Sequence, residues 1–187
     1  MIISRIIAAF VLLIFVAGTA TVRAADIGGP FTLVDHHGNG VNQDSYPEKY
    51  QLIFFGYTYC PDICPTTLLV LGQTLDLLGP EAARVQALFI TVDPARDTVD
   101  VLAEYVPNFH PDLIGLTGTP KQVVEVAKAF RMFYRISPQA TVGEDYLVDH
   151  TSLIYLMAPA GKFVSHFLYG QGAEVMAQTI AKILAAD

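Results

Sequence analysis

The sequence predicts a single α/β domain, because continuous apolar strands alternate along the chain with segments of helical periodicity. The apolar runs Leu52–Phe55 and Ala87–Val92 are typical of parallel strands that are covered on both faces. The chain has 187 residues, of which 52% are hydrophobic. It is therefore long enough for one sizeable core, and a second full domain is not expected.

An N-terminal hairpin is predicted before these strands. Phe31–Asp35 alternates apolar and polar residues, and His36–Gly40 supplies the glycines and polar residues of a turn. After the first apolar strand, helical spacing predicts a helix over Thr66–Leu78, which Gly79-Pro80 ends. The leucines on the inner face of this helix are Leu68, Leu71, Leu75 and Leu78.

Three more helices and a second hairpin are predicted in the rest of the chain. One helix follows Thr98, and the next starts at Thr119-Pro120, where threonine is a capping residue and proline takes the first helical position. The residues expected on the inner face of that helix are Val123, Val124, Ala127 and Phe130. The hairpin strands are Ser152–Met157 and Phe163–Leu168, and the last helix is Ala173–Leu184. This order predicts a thioredoxin-like fold with an N-terminal β-hairpin and an insertion before the final β-hairpin.

Residues 1–25 differ in character from the rest and predict an export signal or a membrane anchor. Arg5 precedes the apolar or small stretch Ile6–Ala20. Its length falls between a cleavable signal core of about 7–15 residues and a bilayer span of about 20. The globular domain is therefore expected at residues 26–187, outside the cytosol. The formal net charge is −7 and there is no basic run, so no nucleic-acid partner is expected.

The two cysteines of the chain lie together directly after the first apolar strand. Cys60 and Cys64 belong to the segment Gly56–Pro65, at the point where a strand leads into a helix. Unpaired N–H groups and the dipole at a helix N-terminus stabilise a thiolate. Pro65 is tolerated only in the first helical turn, so we expect Cys60–Cys64 to form a turn with both sulfurs facing outward.

This spacing leaves several kinds of chemistry open. In an exported protein two cysteines form a disulfide by default, although so small a loop gains little stability from the bridge. Thioredoxin-type redox enzymes have two residues between their cysteines, and this chain has three. A peroxiredoxin-like peroxidase is the weakest alternative, because Thr58 is one residue too close to Cys60 for the usual Thr-x-x-Cys pattern.

His150 is the best placed of the five histidines to join the cysteines. It stands just before Ser152–Met157, in a loop that faces the cysteine turn in a thioredoxin-like fold, where redox enzymes usually have a cis-proline. Two thiolates and an imidazole form a soft ligand set that suits Cu(I), or Cu(II) if another ligand joins. Zinc with an open coordination position is the competing metal.

Five motifs together are highly specific for one protein family. They are Gly29–Leu33, Cys60–Pro65, Val92–Thr98, Leu116–Thr119 and Asp145–Thr151. With them the chain resembles the Sco/SenC family of copper-binding proteins, which serve cytochrome c oxidase assembly. The resemblance implies that Cys60, Cys64 and His150 bind copper and that the chain has a single N-terminal membrane anchor. Tyr59 departs from the family pattern, in which a histidine often precedes the first cysteine.

The resemblance also implies partners and a location. The expected function is that of a copper metallochaperone for the binuclear copper site of cytochrome c oxidase, rather than that of a turnover enzyme. The alternative is a thiol:disulfide oxidoreductase that uses Cys60 and Cys64 to keep the cysteines of that site reduced. The expected partners are the copper-receiving subunit of the oxidase, a copper donor or a thioredoxin-like reductant, and the membrane on the periplasmic side.

Five further residues carry predictions of their own. Asp93 follows the second apolar strand at the same sheet edge as the cysteine turn, so it is expected as a neighbour of the site or as an Asp-Pro turn residue. Arg96 and Asp97 are expected to start a helix and form ion pairs. The side chains of His36-His37 are expected on a solvated surface.

Overall fold

The computed structural model describes residues 27–137 and 146–187, and the predicted anchor or signal, residues 1–25, lies outside this part of the chain. No helix in the described ranges is long and apolar enough to cross a membrane. The strands of these ranges are β1 (Thr32–Asp35), β2 (Gly40–Asn42), β3 (Tyr50–Gly56), β4 (Val85–Thr91), β5 (Ile114–Thr117), β6 (Tyr134–Ile136), β7 (Val148–His150), β8 (Leu153–Met157) and β9 (Phe163–Leu168). The α-helices are α1 (Ile63–Leu78), α2 (Val99–Tyr105), α3 (Pro120–Ala129) and α4 (Ala173–Ala185).

A seven-stranded sheet with the order β2-β1-β5-β4-β3-β8-β9 forms the centre of the domain. Strands β3, β4 and β5 are parallel, and β8 runs antiparallel to β3. The short pair β6-β7 forms a separate two-stranded sheet, inserted between α3 and β8. The predicted thioredoxin-like α/β fold, with an N-terminal hairpin and an insertion before the final hairpin, is confirmed.

The core lies on both faces of the two central strands. Every residue of β3 and β4 is buried, as expected for parallel strands that connecting helices cover. The four leucines predicted to face inward from α1 are all buried. The capping box of α3 is also present, with Thr119 and Gln122 bonding to each other's backbone N–H groups.

One inward position of α3 was predicted wrongly. Val124 is 54% exposed, and Val126 is buried in the core instead. Val126 lies three residues after Val123, on the same face as Ala127 and Phe130, whereas Val124 is rotated from Val123 by about 100° around a helix of 3.6 residues per turn. The true inner face therefore runs through Val123, Val126, Ala127 and Phe130.

Strand β5 was not predicted, and its presence changes the role of the first turn. It pairs with β4 on one side and with β1 on the other. The imidazole Nδ1 of His36 accepts a hydrogen bond from the backbone N–H of Gly115 in β5 at 3.0 Å, and His36 is only 6% exposed. The expected solvated position is therefore wrong for His36, whereas His37 is exposed.

Gly72 marks a close approach between α1 and the turn after α2. A Cβ atom at Gly72 would lie 2.7 Å from the carbonyl oxygen of Phe109, whereas one at Gly40 would meet open space. We expect Gly72→Ala to lower the free energy of unfolding by about 1–3 kcal/mol, because backbone must move to relieve the overlap. Urea denaturation measures this loss, and Gly40→Ala is the control. Equal stability of the two variants would contradict the close contact between Gly72 and the backbone of Phe109.

Candidate metal centre

The two cysteines occupy different environments at the junction of β3 and α1. Cys60 lies in the connecting loop and is partly exposed, whereas Cys64 is in the first turn of α1 and completely buried. Helix α1 begins at Ile63, three residues before the predicted start at Thr66. The expectation that both sulfurs face outward is thus wrong for Cys64.

Gly56 explains how the Cys64 sulfur can be buried at the end of β3. A Cβ atom at Gly56 would lie 2.8 Å from the Cys64 Sγ and 2.9 Å from the Phe89 ring. Only a residue without a side chain leaves this space to the sulfur. The burial of Cys64 therefore depends on a residue eight positions earlier in the sequence, at the end of the strand.

His150 brings an imidazole nitrogen to the cysteines. Its Nε2 lies 3.4 Å from the Cys64 Sγ, and its Nδ1 lies 3.1 Å from the Thr151 carbonyl oxygen. A carbonyl can only accept a hydrogen bond, so Nδ1 carries the proton and Nε2 presents its lone pair to the sulfur. The rings of Phe54 and Tyr57 lie edge-on to the imidazole, at centroid distances of 6.2 and 6.0 Å, and fix its orientation.

The three predicted ligands form one cluster. The two sulfurs and the imidazole nitrogen all lie within 4.8 Å of one another, and no other such group occurs in residues 27–137 and 146–187. Ligands bound at about 2.0–2.3 Å to one ion are separated by at most about 4.6 Å, so a small adjustment brings these atoms around a metal. Both thiols are free, and the soft set of two sulfurs and one nitrogen fits copper.

The hydrogen bonds within the pair make the two cysteines electrostatically unequal. A hydrogen bond from the Cys64 thiol lowers the pKa of Cys60 to about 3, against the effect of burial and with further help from nearby backbone N–H groups. One of these is the N–H of Cys64, 3.4 Å from the Cys60 Sγ. The same interaction, together with burial, raises the pKa of Cys64. At neutral pH the pair therefore consists of a Cys60 thiolate and a Cys64 thiol.

The buried carboxylate of Asp97 holds the loop that carries the cysteines. It accepts hydrogen bonds from the Thr58 N–H at 3.1 Å and from the hydroxyls of Thr58 and Thr91. Burial raises the pKa of Asp97, and these hydrogen bonds oppose the rise. Asp97 was expected to form an ion pair, but in the described part of the chain its carboxylate accepts hydrogen bonds from neutral groups.

Asp93 lies near the site but not among the clustered ligand atoms. Its carboxylate forms an ion pair with Arg96 and accepts a hydrogen bond from the Tyr146 hydroxyl at 2.7 Å. It is 4% exposed. Asp93 is thus linked to the cluster indirectly, through Arg96 and through Tyr146, which stands four residues before His150. The expected ion pairing of Arg96 is confirmed.

A thioredoxin-like domain with a thiol pair at the end of a strand and a facing histidine defines a class of proteins that handle soft metals or disulfides. Comparison of the sequence with known families narrows this class. The sequence matches SCO1/SenC over residues 19–185, so the chain belongs to the SCO1/SenC family.

Individual relatives agree with this assignment. The mitochondrial SCO2 homolog of Bos taurus is 40% identical over 171 residues, which cover 90% of this chain and 64% of the cattle protein. The chain thus spans less than two thirds of that relative. The crystal structure of yeast Sco1 with copper bound has a TM-score of 0.80 and 39% identity, covering 87% of this chain and 90% of that one. BsSco, described as a member of the Sco family of cytochrome c oxidase assembly proteins, shares the fold with a TM-score of 0.65 at 22% identity, covering 83% and 92%.

The difference in pKa between Cys60 and Cys64 can be tested by titration of the reduced protein. Because the pKa of Cys60 is lowered to about 3, we expect its thiolate to persist as the pH falls from neutral into the acid range. Cys64→Ala removes the hydrogen bond and should shift this titration to higher pH, whereas Cys60→Ala should leave no thiolate at neutral pH. Ultraviolet thiolate absorbance and alkylation rates measure both effects. Loss of the wild-type signal near the ordinary thiol pKa of about 8.5 would contradict the assignment.

Proposed function

We propose that this protein is a copper metallochaperone that binds copper through Cys60, Cys64 and His150 and delivers it to the binuclear copper site of cytochrome c oxidase during assembly. The observation that carries the proposal is the cluster of two sulfurs and one imidazole nitrogen within 4.8 Å. Membership in the SCO1/SenC family and the copper bound to yeast Sco1 support it.

The arrangement suits uptake and transfer of a cation. The partly exposed Cys60 thiolate offers a negative charge at the surface, so it is the first ligand that incoming copper meets. Full coordination requires Cys64 to lose its proton, and therefore one proton leaves as copper binds. The Nε2 of His150 joins as the third ligand, while its Nδ1 stays directed to the Thr151 carbonyl oxygen. Transfer then proceeds by exchange of these ligands for those of the receiving subunit.

We further propose that the domain of residues 26–187 works on the periplasmic side of the inner membrane, held there by residues 1–25. The apolar stretch Ile6–Ala20 supports an N-terminal attachment. Copper then arrives from a donor protein and leaves to a membrane-bound oxidase subunit on the same side.

A second function, reduction of the oxidase cysteines, has its own support in the inequality of the thiols. The Cys60 thiolate would attack a partner disulfide, form a mixed disulfide and release one partner thiolate. Cys64 would then lose its proton, attack the Cys60 sulfur and release the second thiolate. The chain would be left with a Cys60–Cys64 disulfide, and a thioredoxin-like reductant would have to restore the thiols.

Anaerobic titration of the reduced protein with Cu(I) against a competing chelator separates the two functions. The copper function predicts that Cys60→Ser, Cys64→Ser and His150→Ala each weaken binding by about 10-fold or more, since each removes a ligand. His166→Ala, which changes an exposed histidine on β9, is the control and should bind normally. Unchanged affinity in His150→Ala, with reduction of a peptide disulfide that requires only the cysteines, would favour the reductase instead.

Membrane attachment has a separate test. We expect the full chain to remain with inner membranes after an alkaline carbonate wash, because an apolar segment buried in the bilayer is not held by charge. A chain of residues 26–187 directed to the same compartment should appear in the soluble fraction. Release of the full chain by the wash would exclude an anchored form.

A further inference from the structure

Arg96 lies between the segment that carries the cysteines and the segment that carries His150. Its guanidinium carbon is 3.6 Å from the ring centroid of Tyr146, 4.6 Å from that of Tyr59 and 5.8 Å from that of Tyr57. Tyr57 and Tyr59 belong to the loop between β3 and α1, here called the cysteine loop, and Tyr59 directly precedes Cys60. Tyr146 stands four residues before His150. The side chain of Arg96 is only 13% exposed, whereas Tyr59 is 58% exposed, so Arg96 lies beneath the ring of Tyr59.

Asp93 binds both Arg96 and Tyr146. Its carboxylate pairs with the Arg96 guanidinium and accepts a hydrogen bond from the Tyr146 hydroxyl. Arg96 and Tyr146 are therefore fixed by the same buried carboxylate, which follows the end of β4. A planar guanidinium can stack on aromatic rings while it pairs with a carboxylate, which an ammonium group cannot do in the same way.

We propose that Arg96 is a positioning residue for copper: held by Asp93, it stacks against Tyr59 and Tyr146 and so sets the distance between the His150 Nε2 and the cysteine sulfurs. This inference rests on the proposed copper site. It assigns to Arg96 no contact with the metal. Its effect on copper passes through the two loops that it joins.

The sign of the effect distinguishes positioning from simple electrostatics. Removing a positive charge beside a thiolate would by itself strengthen the binding of a copper cation. Loss of the stacking would instead leave His150 poorly placed and weaken Cu(II) binding, because the imidazole nitrogen would be the ligand affected. Changes around a metal site that disturb ligand orientation typically cost about 10–100-fold in affinity.

The test uses Cu(II) added to the reduced full chain in detergent, with affinity and the nitrogen coupling in electron paramagnetic resonance as readouts. Arg96→Leu and Tyr146→Leu should lower the affinity by about 10-fold and weaken the histidine coupling toward that of His150→Ala. Tyr146→Phe keeps the ring and should lose less. Arg96→Lys keeps the charge but not the planar stack, so it should resemble Arg96→Leu.

Two control variants separate the positioning effect of Arg96 from a change in charge and from a change in protein stability. Arg135→Leu removes a cation from the strand that pairs with β7, where Arg135 forms an exposed ion pair with Asp149, and should leave the copper spectrum unchanged. Gly72→Ala lowers stability about two turns further along α1 than Cys64 and should also leave the copper spectrum unchanged.

The outcomes are distinct. A wild-type nitrogen coupling and affinity in Arg96→Leu and Arg96→Lys, while His150→Ala loses the coupling, would overturn the positioning role and keep the copper site. A wild-type spectrum in His150→Ala would overturn the copper site itself and the inference with it. If Arg96→Leu does not fold, Arg96→Lys and Tyr146→Leu decide the question by the same readouts.

Discussion

The carboxylate of Asp97 is the group on which the geometry of the site depends. A carboxylate removed from water is costly unless hydrogen-bond donors surround it, and here Thr58 and Thr91 provide them. The backbone carbonyl of Asp97 in turn accepts a hydrogen bond from the Thr117 hydroxyl at 2.7 Å. One residue thus joins the loop after β3, the end of β4 and the end of β5. The position of the cysteine loop is therefore set by hydrogen bonds at three neighbouring strand ends.

A site built in this way can give two chemically similar residues different tasks. Cys64 is enclosed in the space that Gly56 leaves and holds the proton of the pair, while Cys60 stays partly exposed as the thiolate. The difference does not come from the cysteines themselves but from their distance to solvent and from the hydrogen bond between them. Both of the proposed functions, copper uptake and thiol–disulfide exchange, would begin at the exposed thiolate, and one geometry therefore supports either.

The sequence allowed prediction of the features that depend on local pattern. The central strands β3 and β4, the capped start of α3 and the hairpins have periodicity or turn residues of their own, and the strand-to-helix position of Cys60 and Cys64 follows from them. Strand β5 was missed because it is four residues long and includes Gly115. The burial of Cys64 and the hydrogen bonds of Asp97 depend on residues from separate strands, so no local pattern could reveal them.

His150, the third proposed ligand, lies on the separate two-stranded sheet, whereas the cysteines adjoin the central sheet. A two-stranded unit has little stability of its own, so detachment of β7 from the body of the domain is expected to cost less than detachment of any strand of the central sheet. In the proposed copper chemistry, detachment would carry His150 away and leave the ion on two sulfurs, open to an incoming thiolate. The rate of metal hand-over would then be governed by a local opening equilibrium, and global stability and transfer rate could vary independently.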